Sequence, residues 1–328
     1  MKILVVSNRL AKRLSQRRDL LPEDVQIIVP RKGTEKELVE LARDVDIIVS
    51  TKLSADVVKE ARKLKLLQKT GAGVDAMPFD ALPDEVFMAN TSGANPVPLA
   101  EGAVALVLSL AKRVVQRHSA FLEGRSGPRG IELRGKTVCI LGMGSIGTEV
   151  AKRLRAFDMK VLGLKRNPNK EFKEKLDLEF LGGPSDLHKF LGMSDIIVVT
   201  VPLTPETEGM IGEPELRTMK ETAYLVNVAR AAIIQEEPLY RALKEGWIAG
   251  AALDVWWVPH FWDPLWNPEG LDASKYPFWE LPNVITTPHN IGSTDSRSDA
   301  ALEIIAQNIR RISEGKPPVN QVNKELRY

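Results

Sequence analysis

The sequence predicts an α/β fold with parallel sheets, and two observations support the prediction. First, short apolar runs alternate with helical patterns along most of the 328 residues, as in chains built from βαβ units. Second, a strand pattern over Thr137–Leu141 runs directly into Gly142-x-Gly144-x-x-Gly147, and a helical pattern follows over Thr148–Phe157. The length suits about two domains.

The first 95 residues contain five strand patterns and two helical patterns. The predicted strands are Ile3–Val6, Gln26–Val29, Asp46–Ser50, Leu64–Lys69 and Val86–Asn90. The predicted helices are Glu35–Ala42 and Ala55–Lys63. The loop Thr70–Asp75 follows the fourth strand, and its two glycines expose backbone N–H groups. Those groups indicate either a nest for a small anion, such as a carboxylate, or a plain turn.

The remaining chain begins with a long apolar helix and then returns to the alternating pattern. A turn-rich stretch over 90–96 precedes this helix, which is predicted over Val97–Val115. Because the helix is apolar on most sides, we expect it to be buried, either in its own domain or against a second subunit. Later strands are predicted at Lys160–Leu164, Ser194–Val201, Tyr224–Val228, Ile248–Val255 and Asn283–Thr287, and later helices at Pro238–Glu245 and Asp295–Ser313.

The glycine motif predicts a site for a dinucleotide pyrophosphate. Gly142 allows a tight turn, Gly144 lets the backbone approach the phosphates, and Gly147 lets helix and strand pack closely. Ser145 and Ile146 lie between the second and third glycines, just before the following helix, whose N-terminus faces a bound anion. A tight turn without a ligand is the alternative interpretation.

The end of the next strand indicates which dinucleotide binds. In NAD-binding domains an acidic residue about twenty positions past the first glycine holds the ribose hydroxyls. Lys165 and Arg166 occupy that place instead. Two cations suit the additional phosphate of NADP, and arginine binds such a group through a forked pair of hydrogen bonds. The sequence therefore favours NADP while leaving NAD open, and a solvated basic turn is the alternative.

Three polar residues each end a predicted strand in this half of the chain: Arg230, Asp254 and His289. In open parallel sheets, ligands bind outside the carboxyl ends of the strands. We therefore expect these three side chains to line a functional site.

Composition argues against several other classes of function. The formal net charge is +2, so neither nucleic acid nor an acidic membrane surface is an expected partner. The opening apolar run, Ile3–Val6, is too short for a signal peptide or a membrane span. The single cysteine, Cys139, and four scattered histidines give no metal-ligand spacing. A cytoplasmic protein without a metal is expected.

Seven motifs together resemble the D-2-hydroxyacid dehydrogenase family along nearly the whole chain. They are GAGVD at 71–75, NPVPLAEGAVALVLSL at 95–110, LRGKTVCILGMGSIG at 133–147, VPLTPET at 201–207, LVNVARAAIIQEEPL at 225–239, GAALDVW at 250–256 and LPNVITTPH at 281–289. The resemblance implies two Rossmann-like domains. A cofactor domain of residues 96–291 is inserted into a split substrate-binding domain of residues 1–95 and 292–328. It also implies a homodimer formed through the 97–119 helix region.

The implied activity is that of an NAD(P)-dependent oxidoreductase acting on CH–OH donors, with hydride transfer between the nicotinamide and a 2-oxo or D-2-hydroxy acid. Arg230 matches the catalytic arginine and His289 the general acid/base, whose imidazole titrates near working pH. Asp254 helps to orient the site, and the N–H groups of Gly73 and Val74 share the substrate carboxylate. Further cofactor-binding positions are Val201, Pro202, Thr207, Val228, Ala229 and Asp254.

The chain departs from the family pattern just after Asp254. Members usually have a glutamate about five residues later, paired with the histidine, and none stands there. Candidate replacements are Asp263, Glu269 and Glu280, and His289 acting without a carboxylate is the alternative. The loop is also rich in aromatic residues, which either wall an apolar substrate pocket or only pack the protein. These are Trp256, Trp257, Phe261, Trp262 and Trp266, with His260 among them.

Three functions follow from the resemblance. The first is NADPH-linked reduction of a small 2-oxo acid such as glyoxylate or hydroxypyruvate. The second is D-3-phosphoglycerate dehydrogenase, which Lys165 and Arg166 oppose weakly because that enzyme usually prefers NAD. The third, of another class, is an NAD(P)-sensing binding protein like the corepressors of this family.

Overall fold

A computed structural model describes residues 1–94, 96–258, 261, 267, 269–270 and 272–327, and for Arg297 it describes the backbone alone. The chain forms two compact units. Unit 1 is Met1–Asn95 with Thr294–Tyr328, and unit 2 is Pro96–Ser293. Within the described residues, no helix is both long and apolar enough to cross a bilayer.

The elements are numbered in chain order. The strands are β1 (Lys2–Val5), β2 (Gln26–Ile28), β3 (Ile47–Ser50), β4 (Leu66–Lys69), β5 (Phe87–Ala89), β6 (Thr137–Leu141), β7 (Lys160–Leu164), β8 (Phe180–Gly182), β9 (Ile196–Val199), β10 (Tyr224–Asn227), β11 (Gly250–Leu253) and β12 (Val284–Thr286). The α-helices are α1 (Asn8–Gln16), α2 (Glu35–Ala42), α3 (Ala55–Glu60), α4 (Pro96–Ala111), α5 (Val114–Leu122), α6 (Ser145–Arg155), α7 (Lys170–Lys175), α8 (Leu187–Met193), α9 (Glu213–Thr218), α10 (Glu236–Lys244) and α11 (Asp295–Ser313).

Unit 1 contains a five-stranded parallel sheet in the order β2-β1-β3-β4-β5. Successive side chains of a strand point to opposite faces, so Ile3 and Val5 of β1 lie on one face. They share a buried apolar cluster with Leu302, Ile305 and Ile309 of α11. The C-terminal helix therefore completes the core of the unit that the N-terminal strands begin.

Unit 2 contains a seven-stranded parallel sheet in the order β12-β11-β10-β9-β6-β7-β8. Every residue of β9, β10 and β11 is buried, as expected where helices cover both faces of a parallel sheet. Burial raises the pKa of the Cys139 thiol in β6 to about 12, so this cysteine is a neutral core residue. The predicted α/β fold with parallel sheets is confirmed in both units.

The strand order of unit 2 reverses at β6. The chain runs from β6 outward through β7 to β8, and then returns to place β9 on the other side of β6. Such a reversal opens a crevice at the carboxyl ends of the two diverging strands. The glycine motif begins at Gly142, directly after β6.

The prediction of a single long helix over Val97–Val115 is wrong, because two helices occupy this region. The first helix ends at Ala111, whose carbonyl accepts a hydrogen bond from Ile131 N at 2.7 Å. Arg113 then adopts a left-handed conformation with φ of 54°, and its guanidinium lies 5.6 Å from the ring centroid of Tyr224. The second helix, α5, starts at Val114. Lys112 and Arg113 interrupt the apolar run at the break, but apolar residues resume at Val114, so the run resembles a single helix.

Candidate cofactor and catalytic site

Two glycines of the motif are required by contacts within unit 2. Gly142 has a φ of 106°, and a Cβ there would lie 2.7 Å from Val201 N. A Cβ on Gly147 would lie 2.1 Å from the carbonyl oxygen of Gly142. Both distances are too short for any other residue, so these glycines allow β6, the loop and α6 to pack closely.

Gly144 is different, because no contact with the chain explains it. Its φ is −85°, and a Cβ built there would meet no atom within 4 Å. It is the N-cap residue of α6, and it has no side chain to cap the helix. In the described part of the chain, the N–H groups of Ser145 and Ile146 have no hydrogen-bond partner. Open space beside unpaired N–H groups at a helix N-terminus fits a dinucleotide pyrophosphate.

The end of β7 brings the two predicted cations beside this loop. Lys165 Nζ lies 3.3 Å from Met143 O and 4.8 Å from the ring centroid of Phe172. Arg166 Nη2 donates to Glu206 Oε2 at 2.5 Å, and the two side chains are 36% and 67% exposed, respectively. An exposed ion pair contributes only about 0–1 kcal/mol, so a phosphate can replace Glu206 at small cost.

The loop after β9 closes the other side of the glycine motif. Val201 lies against Gly142. The Thr207 hydroxyl donates to Pro202 O at 2.6 Å and accepts from Thr204 N at 2.9 Å. Thr207 therefore holds the turn that presents Val201 and Pro202.

Asn227 braces the turn that leads to Arg230, a role that our sequence analysis missed. The buried amide accepts from Ala229 N at 3.0 Å and donates to Arg230 O at 2.9 Å. The half-buried Arg230 side chain donates to Ala229 O at 2.7 Å. The available sequence signal was a polar residue inside the apolar run Tyr224–Val228.

Asp254 is buried and organises the segment that contains His289. Its Oδ1 accepts from the Thr287 hydroxyl at 2.7 Å, from Asn290 N at 3.1 Å and from Ile291 N at 3.2 Å. His289, at the centre of this segment, has a φ of 53°. Thr287 was not predicted from the sequence, although its hydroxyl donates directly to the Asp254 carboxylate.

The three strand ends are neighbours in the sheet. Arg230 follows β10, Asp254 follows β11 and His289 follows β12, and these strands are adjacent. Backbone bonds continue past the strands, since Asp254 N donates to Asn227 O at 3.1 Å and Thr287 N donates to Leu253 O at 3.0 Å. A cation, a carboxylate and an imidazole therefore lie at the carboxyl ends of the strands, the same end of the sheet at which the glycine motif follows β6.

Of the three candidate partners for His289, two are described. Glu269 and Glu280 are exposed, and neither forms a hydrogen bond or ion pair with His289 among the described residues. Asp263 lies outside the described residues, as do His260, Trp262 and Trp266, so pairing with Asp263 stays a prediction.

The two tryptophans that follow Asp254 have different partners. Trp257 is partly buried and packs against the core, stacked on Phe278 with centroids 5.3 Å apart, and its Nε1 donates to Ile234 O. Trp256 is buried beside the His289 segment, where its Nε1 donates to Thr287 O at 2.9 Å.

In unit 1, hydrogen bonds to its carbonyl groups hold the loop Thr70–Asp75 in place. The carbonyls of Thr70 and Ala72 accept from the Thr91 hydroxyl at 3.1 Å and the Asn90 amide at 2.8 Å, respectively. The N–H groups of 71–74 have no hydrogen-bond partner in the described part of unit 1. This arrangement favours the anion nest over the plain turn.

Comparison with known proteins identifies relatives along the chain. Residues 104–290 match the profile of the family described as "D-isomer specific 2-hydroxyacid dehydrogenase, NAD binding domain". D-3-phosphoglycerate dehydrogenase of Methanocaldococcus jannaschii is 35% identical, over 93% of this chain and 56% of its own length. Glyoxylate reductase of Thermococcus gammatolerans is 34% identical, over 94% of this chain and 92% of its own length.

Solved structures show the same similarity across both units. A D-isomer-specific 2-hydroxyacid dehydrogenase of Xanthobacter autotrophicus Py2, in complex with NADPH and MES, gives a TM-score of 0.80 at 28% identity. The match covers 100% of this chain and 99% of that one. In contrast, the chain spans about half the length of the phosphoglycerate dehydrogenases it matches.

Proposed function

The chain belongs to the D-isomer-specific 2-hydroxyacid dehydrogenase family, and from this membership we propose that it reduces a small 2-oxo acid with NADPH. One observation above all supports the proposal: Arg230, Asp254 and His289 follow neighbouring strands of the sheet that bears the glycine motif. Reduction of a 2-oxo acid requires a carboxylate anchor, a polarised carbonyl and a proton donor, and these residue types meet those needs.

The proposed cofactor site consists of the glycine motif and the loops beside it. The N–H groups of Ser145 and Ile146 bind the pyrophosphate, and Lys165 with Arg166 binds the 2′-phosphate. Further contacts come from Val201, Pro202, Thr207, Val228 and Ala229. When bound, the nicotinamide supplies the hydride for reduction.

The chain's own residues supply the rest of the chemistry. Arg230 holds the substrate carboxylate and polarises the carbonyl, since its charge is permanent. His289 donates the proton to the oxygen that becomes the hydroxyl. Asp254 keeps the His289 segment in place, and the N–H groups of Gly73 and Val74 in unit 1 share the carboxylate.

Two substrate assignments have separate support. Glyoxylate or hydroxypyruvate is favoured, because a glyoxylate reductase matches this chain over 92% of its own length. D-3-phosphoglycerate is the alternative, supported by the similar sequence identity of the M. jannaschii enzyme.

The substrate is tested with a spectrophotometric panel of NADPH and NADH against glyoxylate, hydroxypyruvate, pyruvate, longer 2-oxo acids and 3-phosphohydroxypyruvate. Turnover with NADPH and a small 2-oxo acid is expected, whereas no turnover with any of them would favour a dinucleotide-sensing protein.

Changing Lys165 to aspartate is expected to shift the cofactor preference from NADP towards NAD. A hydrogen bond to a charged group contributes about 1.5–3 kcal/mol, or ~10–100-fold in the ratio of kcat/KM for NADPH to that for NADH. The two kcat/KM values are measured on the wild type and on Lys165→Asp. Lys170→Asp, an exposed lysine of α7, is the control and should leave the ratio unchanged. A wild type that prefers NADH would contradict the assignment.

We propose a homodimer formed through the 97–119 helix region, and the exposed apolar residues of α5, which begins within that region, support the proposal. Phe121 and Leu122 are 77% and 71% exposed, and Val114 and Val115 add apolar surface to the same short helix. The double change Phe121→Asp with Leu122→Asp should convert a dimer into a monomer in light scattering coupled to size exclusion. Phe180→Asp, on the outer strand β8, serves as the control. A wild-type chain that elutes as a monomer would refute the dimer.

A further inference from the structure

Unit 2 contains an aromatic cavity beside the strand end that leads to His289. The cavity has a volume of about 420 Å³, which falls within the range of about 300–1,000 Å³ typical of small-molecule pockets. Its aromatic walls are Trp256, Phe261 and Trp279, and Ala273 adds to its apolar surface. We call this cavity the aromatic pocket.

The three aromatic side chains surround the space rather than fill it. Trp256 contacts Phe261 edge-on with centroids 6.3 Å apart, and Trp279 at a tilt with centroids 6.4 Å apart. Trp279 remains 47% exposed, although burial of its large ring would stabilise the fold. Trp257, by contrast, is partly buried and stacks on Phe278. A half-exposed tryptophan beside the buried ring of Trp256 offers a surface that can bind an apolar group.

The position of the aromatic pocket links it to the proposed reaction. Thr286, Thr287 and Pro288 form one wall, and His289 follows them directly. Trp256 is fixed to this wall by its bond to Thr287 O. Any group held in the aromatic pocket therefore lies next to the segment of the proposed proton donor.

Charge indicates which end of a 2-oxo acid the pocket accepts. Asp272 is exposed and lines the pocket, and its negative charge repels a carboxylate. Among the residues described around the pocket no lysine or arginine is present. This charge pattern agrees with the assignment of the carboxylate to Arg230, and an uncharged apolar substituent fits the space.

We propose that the aromatic pocket binds the side chain of a 2-oxo acid with a branched or aromatic substituent, so that such acids are substrates besides the small ones. This proposal rests on the proposed function. An apolar side chain of matching size gains about 10–200-fold in kcat/KM for each methylene that a hydrophobic pocket accommodates. Glyoxylate, which has no side chain, leaves the aromatic pocket empty.

The test compares kcat/KM with NADPH for phenylpyruvate and 4-methyl-2-oxopentanoate against pyruvate and glyoxylate. We expect the larger acids to exceed pyruvate by about tenfold or more. Trp279→Asp should lower the ratio of phenylpyruvate to glyoxylate by about tenfold, and Trp279→Phe should retain it. Phe157→Asp, an exposed aromatic residue at the end of α6, is the control and should leave the ratio unchanged.

Titration with 3-phenyllactate, followed by isothermal titration calorimetry, gives a second readout that needs no turnover. Saturable binding that Trp279→Asp abolishes supports the aromatic pocket even if no 2-oxo acid is reduced, in which case the proposed function alone fails. If glyoxylate or pyruvate is reduced but larger acids show no advantage and 3-phenyllactate does not bind, the pocket proposal is overturned. The same holds if neither reaction nor binding occurs.

Discussion

Replacing His289 with asparagine is expected to leave the chain folded and to lower kcat/KM for 2-oxo acid reduction by about 10²–10⁴-fold. The loss follows from the missing proton donor, because an amide cannot transfer a proton to the forming hydroxyl. Folding should survive because the backbone here is left-handed, with φ of 53°, and asparagine is one of the few residues besides glycine that adopt this conformation readily.

Two measurements test this expectation. Steady-state kinetics report the loss of activity, and thermal unfolding followed by circular dichroism reports the fold. His289→Ala is the comparison, because it removes the same proton donor but places a less tolerant residue at the left-handed position. It should be equally inactive and also unfold at a lower temperature. An asparagine variant with kcat/KM within a few-fold of the wild type would exclude His289 as the general acid.

The sequence predicted best those features that depend on local pattern. Four elements have the predicted bounds: the strands Thr137–Leu141 and Lys160–Leu164 and the helices Glu35–Ala42 and Asp295–Ser313. The strands are short, nearly continuous apolar runs, and the helices repeat apolar residues at the helical period. Short polar elements were missed, α7 (Lys170–Lys175) being one. With little apolar surface to bury, such an element leaves only its N-cap as a signal.

The support around the candidate site could not be read from the sequence, because it depends on tertiary contacts. Asp254 was predicted to orient the site and to bind the cofactor, but the three hydrogen bonds that its carboxylate accepts from 287–291 were not predicted. Asn227 likewise secures the turn before Arg230. The hydrogen bonds of Asp254 and Asn227 join residues at strand ends and in turns. The apolar pattern of the sequence does not extend into these segments, so it cannot predict which polar groups lie within hydrogen-bond distance of each other.

Two alanine substitutions in the glycine motif distinguish a glycine needed for NADPH binding from one needed for packing. Gly144→Ala is expected to leave stability unchanged or slightly raised, because its φ of −85° suits alanine and its Cβ would meet nothing within 4 Å. It should nevertheless weaken NADPH binding by about 10–100-fold, because the methyl group occupies the space through which the backbone N–H groups reach the pyrophosphate.

Gly147→Ala, three residues away, is expected to lower the stability of the fold, unlike Gly144→Ala. Its Cβ would lie 2.1 Å from a backbone oxygen, so β6 and α6 must separate, which costs about 1–3 kcal/mol or more in the free energy of unfolding. Melting temperature and NADPH affinity, measured for both variants, distinguish the two roles. If Gly144→Ala bound NADPH as tightly as the wild type, its glycine would need another explanation and the motif would be a packing turn. Loss of affinity without loss of stability at Gly144 alone would mean that this loop holds the cofactor, because nothing else in the described chain approaches that position.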